Sequence, residues 1–146
     1  MPRANIRTDR GIAGGIAGVA ILSVLAGCAA PRAGGGPPRQ PIRFVLAQDA
    51  EYQPLLSGSP QTAGMRAGRV VLRDQACNET HSTGPHEETL VFLAGRGQVR
   101  CEGHEPIAAE AGQVVYIPPD TVHHVCADPG VELRYVYIVA PCDHPK

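Results

Sequence analysis

The chain has 146 residues, of which 43% are hydrophobic and 18% are charged, and its formal net charge at pH 7 is -1. A chain of this length supports one modest hydrophobic core. The near-neutral charge lacks the excess of basic side chains that binding to nucleic-acid phosphates requires. We therefore expect no nucleic acid as a partner.

The first segment, residues 1–28, has the parts of an export signal. Three arginines precede residues 11–27, which carry no charge and end in Leu-Ala-Gly before Cys28. This ending resembles the lipobox of bacterial lipoproteins, which implies that Cys28 carries a lipid anchor and that the protein faces the periplasm. The alternative is a retained transmembrane helix, but this stretch is shorter than the about 20 residues that a span usually needs.

The next segment, residues 29–41, is rich in Gly and Pro and has no hydrophobic period. Such a sequence cannot bury enough apolar surface to order itself, so it predicts a flexible tether. The folded domain is then expected at residues 42–146. Within residues 44–64 the pattern is less clear, and it suggests one edge strand and a loop over an open end of the domain.

From residue 68 onward, short runs rich in Val, Ile, Leu and Tyr alternate with turn residues. The runs cover residues 68–77, 87–95, 98–107, 112–119, 123–128 and 131–141. No stretch in this region has a clear helical period, and the runs have the length of strands. This spacing predicts an all-β, antiparallel sandwich or barrel.

The folded part contains four cysteines, which are Cys77, Cys101, Cys126 and Cys142. An even number of cysteines in an exported domain favours disulfides, and four cysteines allow three pairings that sequence alone does not separate. A soft-metal thiolate site is the alternative, but no two of these cysteines have the CxxC spacing.

The region from His81 to Gly95 resembles the first sequence motif of the cupin superfamily, G-x5-H-x-H-x3,4-E-x6-G. His81 fits the first histidine, Glu88 follows seven residues later, and Gly95 follows Glu88 after six residues. The first glycine of the motif is replaced by Gln75, and the second histidine falls on Thr83.

The second cupin motif, G-x5-P-x-G-x2-H-x3-N, resembles the region that begins at Gly112. Pro118 and His123 stand at the motif positions, whereas Asp120 replaces a turn glycine and Ala127 replaces the asparagine. The resemblance covers about residues 66–140 and implies a cupin, which is an antiparallel jelly-roll barrel that often holds one metal ion.

The resemblance further implies that His81, Glu88 and His123 are metal ligands inside the barrel. Two imidazoles and one carboxylate suit Fe(II), Mn(II), Zn(II), Ni(II) or Cu(II). His86 is a further candidate because residues i and i+2 of a strand share a face, provided that the strand already begins there. His124 follows His123 directly and should therefore point outward.

The resemblance also places the strands of His81, His123 and Cys101 in one sheet. It implies a disulfide between Cys126 and either Cys77 or Cys101, with Cys142 clamping the C-terminal tail. A Cys77 thiolate beside the metal is the alternative. Cupins often pair through sheet edges, so the resemblance implies a homodimer.

For function, the sequence supports two classes. The first is a binding module that holds a divalent metal ion, a small molecule or both, including a metal-free version with an organic ligand only. The second is a metal-dependent oxygenase or isomerase of a small organic substrate. An enzyme should place a second titratable group near its substrate, and the sequence shows no obvious candidate beyond Glu88.

Overall fold

The structure is a computed structural model that describes residues 40–142. The predicted signal peptide, Cys28 and most of the predicted tether lie outside the described residues. Within residues 40–142, no helix is long and apolar enough to cross a lipid bilayer.

Nine antiparallel β-strands form the described part of the chain, in agreement with the predicted all-β class. They are β1 (Tyr52–Ser57), β2 (Arg66–Arg73), β3 (His81–Ser82), β4 (His86–Ala94), β5 (Arg96–Cys101), β6 (Ile107–Glu110), β7 (Val114–Ile117), β8 (Val122–Ala127) and β9 (Glu132–Pro141). The predicted edge strand of the unclear region is β1, whose neighbour in the sheet is β2. The run at residues 98–107 is divided between β5 and β6 by a turn.

The strands form two sheets, with the order β1-β2-β9-β4-β7 in the first and β3-β8-β5-β6 in the second. This is the jelly-roll arrangement that the cupin resemblance implies. The sheet that contains β3, β8 and β5 carries His81, His123 and Cys101, as predicted.

Alternating residues of the strands face inward and build the core. On β4, the side chains of Leu90 and Phe92 are buried, whereas Leu93 is 44% exposed. The core cluster continues with Val99, Ile117 and other side chains of both sheets. This two-residue period is what the hydrophobic pattern of the sequence predicts, because one face of each strand packs and the other meets solvent.

A glycine is required where the chain turns from β4 into β5. Gly95 has φ +76°, and a Cβ atom at this position would lie 2.0 Å from the backbone oxygen of Glu132. No side chain fits there, which gives the motif glycine a physical reason.

At two glycine positions of the cupin motifs, a residue other than glycine has the positive φ angle that glycine adopts most easily. Gln75 has φ +65° and Asp120 has φ +54°, and both stand where the cupin motifs have glycine. The turn geometry of the family is therefore retained although the residue is not. Asp adopts this left-handed region more easily than most residues, so its cost at position 120 is small.

Candidate metal centre

Three predicted ligands converge at one point of the barrel interior. His81 on β3 lies directly opposite His123 on β8, and Glu88 reaches the same point from β4 of the other sheet. The Oε2 atom of Glu88 lies 3.3 Å from Nε2 of His123 and 3.8 Å from Nε2 of His81. The ligand atoms of the three side chains all lie within 4.8 Å of one another.

Backbone contacts fix both imidazole rings in the orientation that a metal ion needs. Nδ1 of His81 lies 2.9 Å from the carbonyl oxygen of Glu79, and Nδ1 of His123 lies 3.2 Å from that of Thr121. A carbonyl oxygen accepts only, so each Nδ1 carries the proton and donates it. In the neutral ring the lone pair is then on Nε2, the atom that faces Glu88.

His123 is deeply buried, and its Nε2 atom has no hydrogen-bond partner in the described part of the chain. The carboxylate of Glu88 lies 3.3 Å from this nitrogen, which is close enough for electrostatic attraction. Buried polar nitrogens are almost always paired, and an ion ligand is one of the few explanations for an exception. The donor set of two imidazoles and one carboxylate therefore fits a divalent cation.

Electrostatics at His123 agree with a site built for positive charge. Burial lowers the pKa of His123, but the contact with Glu88 and the carbonyl of Thr121 outweigh burial and raise the pKa above its usual value. The carboxylate thus stabilises a positive charge at this point of the interior. A divalent ion would replace the proton and satisfy the same carboxylate.

Thr83 stands where the family has its second histidine, and the structure shows what it does instead. Its hydroxyl donates to the carbonyl of Pro118 at 2.9 Å and accepts from the backbone N–H of Thr121 at 3.0 Å. A further backbone bond joins Asp120 to Gly84 at 2.7 Å. These bonds lock the turn before β4 to the turn before β8, and so hold the strands of both histidines in place.

The structure does not bring His86 to the other three ligands. Strand β4 does begin at His86, as a ligand role requires. However, His86 is absent from the groups of possible ligands that lie within 4.8 Å of one another in residues 40–142. Two residues along a strand span about 6.8 Å, which places His86 beyond Glu88 and opposite Pro141 near the strand end. Its part as a fourth ligand stays a prediction.

A cavity of about 490 Å³ adjoins the three ligands. Its walls include Tyr52 and Tyr137, whose hydroxyls lie 2.6 Å apart, and Arg66 at the start of β2. Burial, followed by the hydrogen bond to Tyr52, raises the pKa of Tyr137 well above its ordinary value. Tyr135 and Tyr137 both line the cavity from β9, and Tyr135 also packs in the hydrophobic core.

Sequence reasoning missed Tyr52 and Arg66 as cavity residues. Tyr52 lies in the region whose pattern was unclear, and Arg66 precedes the first recognised run. The strand register shows why Tyr52 and Arg66 reach the cavity. Tyr52 on β1 pairs with Val70 on β2, and Arg66 on β2 pairs with Val139 on β9. Only the assignment of these non-local partners could have identified them.

The cysteine pairing is decided by the structure. Cys77 and Cys126 form a disulfide, one of the two pairings that the resemblance implied. The prediction of a Cys77 thiolate beside the barrel metal is wrong, because its sulfur is bonded to Cys126. Cys101 is a thiol, so the other pairing that the resemblance implied, Cys101 with Cys126, is not formed, and the clamp of the tail by Cys142 stays a prediction. Burial raises the pKa of the Cys101 thiol.

Comparison with known proteins agrees with this architecture. The family description "Cupin domain" matches residues 68–139. A cupin-like protein from Thermotoga maritima is 28% identical with a TM-score of 0.56, covering 60% of this chain and 65% of that chain. A cupin protein from Bacteroides fragilis is 23% identical with a TM-score of 0.59, covering 72% of this chain and 87% of that chain. No curated protein matches the chain.

The fold and the matched region define the class: the chain belongs to the cupin superfamily. It spans 65% of the length of the Thermotoga protein. A putative mannose-6-phosphate isomerase from Ralstonia eutropha is similar in fold, at 22% identity and a TM-score of 0.52, with 62% of this chain and 83% of that chain covered. At that identity the likeness concerns the fold alone, so the function follows from the site.

Proposed function

We propose that the barrel binds one divalent metal ion through His81, Glu88 and His123, and a small molecule in the adjoining cavity. The observation that carries the metal proposal is the buried Nε2 atom of His123, which lacks a hydrogen-bond partner in residues 40–142 and faces a carboxylate. Two histidines and one carboxylate leave open coordination positions, so a bound ion could polarise an oxygen of the small molecule. Iron, manganese, zinc, nickel and copper all suit this donor set.

The cavity supports a small ligand with a negative group. Arg66 lies in its wall and has no ion-pair partner among the described residues. The register aligns Arg66, Val139 and Glu88 in one row across three neighbouring strands. Adjacent strands are about 4.8 Å apart, so the Arg66 and Glu88 backbones are roughly 10 Å apart. A small carboxylate could reach the guanidinium and the metal end of the cavity together.

The tyrosines favour binding over catalysis by a strong base. An ordinary tyrosine is protonated at neutral pH, and burial moves the pKa of Tyr137 further above neutrality. A protonated phenol donates hydrogen bonds and orients a ligand, whereas a general base needs a pKa near the working pH. An oxygenase or isomerase is the second candidate function, and Tyr137 is the titratable group that such an enzyme would have beside its substrate.

The metal proposal is tested by elemental analysis of the purified full chain. We expect near-stoichiometric metal in the parent protein and none in His81→Ala or His123→Ala. The matched control is His104→Ala, which removes an exposed histidine in the turn between β5 and β6 and should retain the metal. No metal in the parent after reconstitution with each of the five ions would contradict the proposal and leave the metal-free, ligand-binding cupin.

His86→Ala is included in the same series. Retained metal in this variant would establish a site of three ligands, His81, Glu88 and His123, which agrees with the distance of His86 from these residues. Loss of metal would show that His86 completes the site when the ion is present.

The ligand proposal is tested with succinate, and with succinamide as its uncharged match. We expect succinate to raise the midpoint of thermal unfolding of the metal-loaded protein and succinamide to leave it unchanged. Arg66→Gln should abolish the shift, while Arg100→Gln, an arginine away from the cavity, should preserve it. Equal shifts with both compounds would contradict an anionic ligand.

We propose further that Cys28 anchors the protein in the cell envelope, with the barrel facing the periplasm. The support is the sequence pattern of residues 1–28 and the Cys77–Cys126 disulfide, which persists best in an oxidising compartment. The test is incorporation of labelled palmitate, which Cys28→Ser should abolish and Cys101→Ser should preserve. Equal labelling of both variants would contradict the anchor.

A homodimer is proposed on the outer face of the first sheet. Leu93, Val114 and Tyr116 expose 44%, 60% and 56% of their surface there, and β7 is the last strand of its sheet. Exposed apolar side chains beside an open strand edge favour association. Light scattering should give a dimer mass that Val114→Lys reduces to the monomer mass, whereas a monomeric parent would contradict the proposal.

A further inference from the structure

Strand β8 carries possible metal ligands on both of its faces. His123 points into the barrel, whereas His124 and Cys126 lie on the outer face of the same strand. Cys77 pairs with Cys126 through an isolated β-bridge. One ring nitrogen of His124 and the two sulfur atoms lie within 4.8 Å of one another. We propose that Cys77, Cys126 and His124 form a second metal site that opens when the disulfide is reduced and that binds a zinc-type cation.

The backbone would hold this site together after the sulfur–sulfur bond is broken. The N–H of Asn78 donates to the carbonyl of Val125 at 3.0 Å, and the N–H of Ala127 donates to the carbonyl of Ala76 at 3.0 Å. The side chain of Asn78 also accepts from the N–H of Val125 at 2.6 Å. These bonds flank both cysteines, so the two thiols stay adjacent and the ligand set is prearranged.

The donor set selects the ion. Two thiolates and one imidazole are soft and borderline ligands that suit zinc, in contrast to the oxygen-containing set inside the barrel. Three protein ligands leave a fourth position for water. The hydroxyl of Thr80 contacts Nδ1 of His124 at 3.4 Å and helps to orient the ring, as groups around metal-bound histidines do.

Access from solvent is open at this site. Cys77 is exposed, and a cavity of about 340 Å³ adjoins both cysteines, with Gln75, Gln98 and Asp128 among its lining residues. A dithiol can therefore approach the disulfide, and an ion and its water ligand have room to enter. The inner metal site lies on the other side of β8 and does not share this entrance.

The disulfide and the metal exclude each other for a chemical reason. The thiolate is the form of cysteine that binds metals, and a disulfide sulfur has no such charge. A dithiol supplies two electrons and two protons, so the Cys77–Cys126 bond becomes two thiols and the dithiol closes into a disulfide. Zinc then binds the two thiolates and releases two protons. An added disulfide compound accepts two electrons from the two thiolates and becomes two thiolates itself, which re-forms the Cys77–Cys126 bond and releases the ion.

The test uses cobalt(II) as a spectroscopic substitute for zinc on the purified full chain. The protein is reduced with dithiothreitol, freed of the reductant without oxygen, and titrated with cobalt(II). We expect sulfur-to-cobalt charge-transfer absorption in the reduced protein, saturating at one cobalt per chain beyond the cobalt that the barrel binds, and none in the oxidised protein. Added zinc should abolish the absorption by displacing cobalt.

Three variants make the result specific. Cys77→Ser should abolish the signal, His124→Ala should weaken cobalt binding at least tenfold, and Cys101→Ser should leave the signal unchanged. His81→Ala, which removes an inner ligand, should also leave it unchanged. Circular dichroism of each reduced variant verifies that the fold is retained, and His124→Ala keeps both thiols if Cys77→Ser does not fold.

Two outcomes would overturn the proposal. One is a reduced wild-type protein without sulfur-to-cobalt absorption. The other is a signal in the folded Cys77→Ser and His124→Ala variants that equals the signal of the reduced wild-type protein. The signal would then come from other cysteines of the chain.

Discussion

The two ends of the barrel use the same strands for different purposes. At the closed end, Phe92 and Leu133 are almost fully buried among apolar neighbours. At the open end, Glu88 of the same strand as Phe92 faces two histidines and the cavity. Phe92 lies only four positions after Glu88, yet Glu88 faces two histidines and Phe92 lies in the hydrophobic core. We therefore expect substitutions at the closed end to change the free energy of unfolding, and substitutions at the open end to change metal binding.

The largest effect on stability is expected at the closed end. Phe92→Ala should lower the free energy of unfolding by about 3–5 kcal/mol, because it removes a buried aromatic ring and leaves a cavity. Ile107→Ala is the control at an exposed apolar side chain of β6 and should cost less than about 0.5 kcal/mol. Urea unfolding measures both values. Equal losses in the two variants would show that the closed end is not the source of stability.

The next effect concerns the disulfide that joins β8 to the segment before β3. Cys77→Ser should lower the free energy of unfolding by about 2–4 kcal/mol, because the unfolded chain loses its cross-link. Cys101→Ser serves as the control, since Cys101 is a thiol in the structure. A comparison of urea midpoints under oxidising and reducing conditions measures the effect. Reduction of the wild-type protein should reproduce most of the Cys77→Ser loss.

At the open end, the expected change is in metal binding and not in stability. The His81 side chain is 44% exposed, so His81→Ala should change the unfolding free energy of the metal-free protein by less than about 1 kcal/mol. Loss of a residue that hydrogen-bonds to a metal ligand typically lowers metal affinity about 10–100-fold, and loss of the His81 ligand itself should lower it further. Calorimetric metal titration and urea unfolding of the same samples test the separation. A stability loss as large as that of Phe92→Ala would contradict it.

The smallest effect is expected at the rim of the closed end. The hydrogen bond from Arg134 lowers the pKa of Glu132, and Arg73 contributes a second bond at 2.8 Å. Because the pKa of Glu132 is lower in the folded state than in the unfolded state, its ionised carboxylate stabilises the fold at pH values above the unfolded-state pKa. This stabilisation is lost as the pH falls through the folded-state pKa. Glu132→Gln should therefore unfold slightly more easily than wild type at neutral pH, and equally at acidic pH. Thermal midpoints across this pH range measure the difference, which solvent screening keeps small.

Much of the fold could be predicted from the sequence because its signals are local. The two-residue period of β4 and the turn residues around Gly95 depend on neighbours along the chain. The spacing of His81, Glu88 and His123 matches the cupin motifs, and the structure brings these three side chains together. The prediction for His86 depended on one strand boundary, and the strand begins as required without bringing its side chain to the site.

The sequence by itself determined the all-β class and the inward-facing residues through its periodicity, and the resemblance to the cupin motifs predicted that His81, Glu88 and His123 converge. Tertiary structure decided that Cys77 pairs with Cys126, that Thr83 locks two turns, and that Arg66 enters the cavity wall. These features depend on which residues lie opposite one another across non-neighbouring strands. A register shift of one residue would turn every such side chain to the other face, and local sequence does not specify that register.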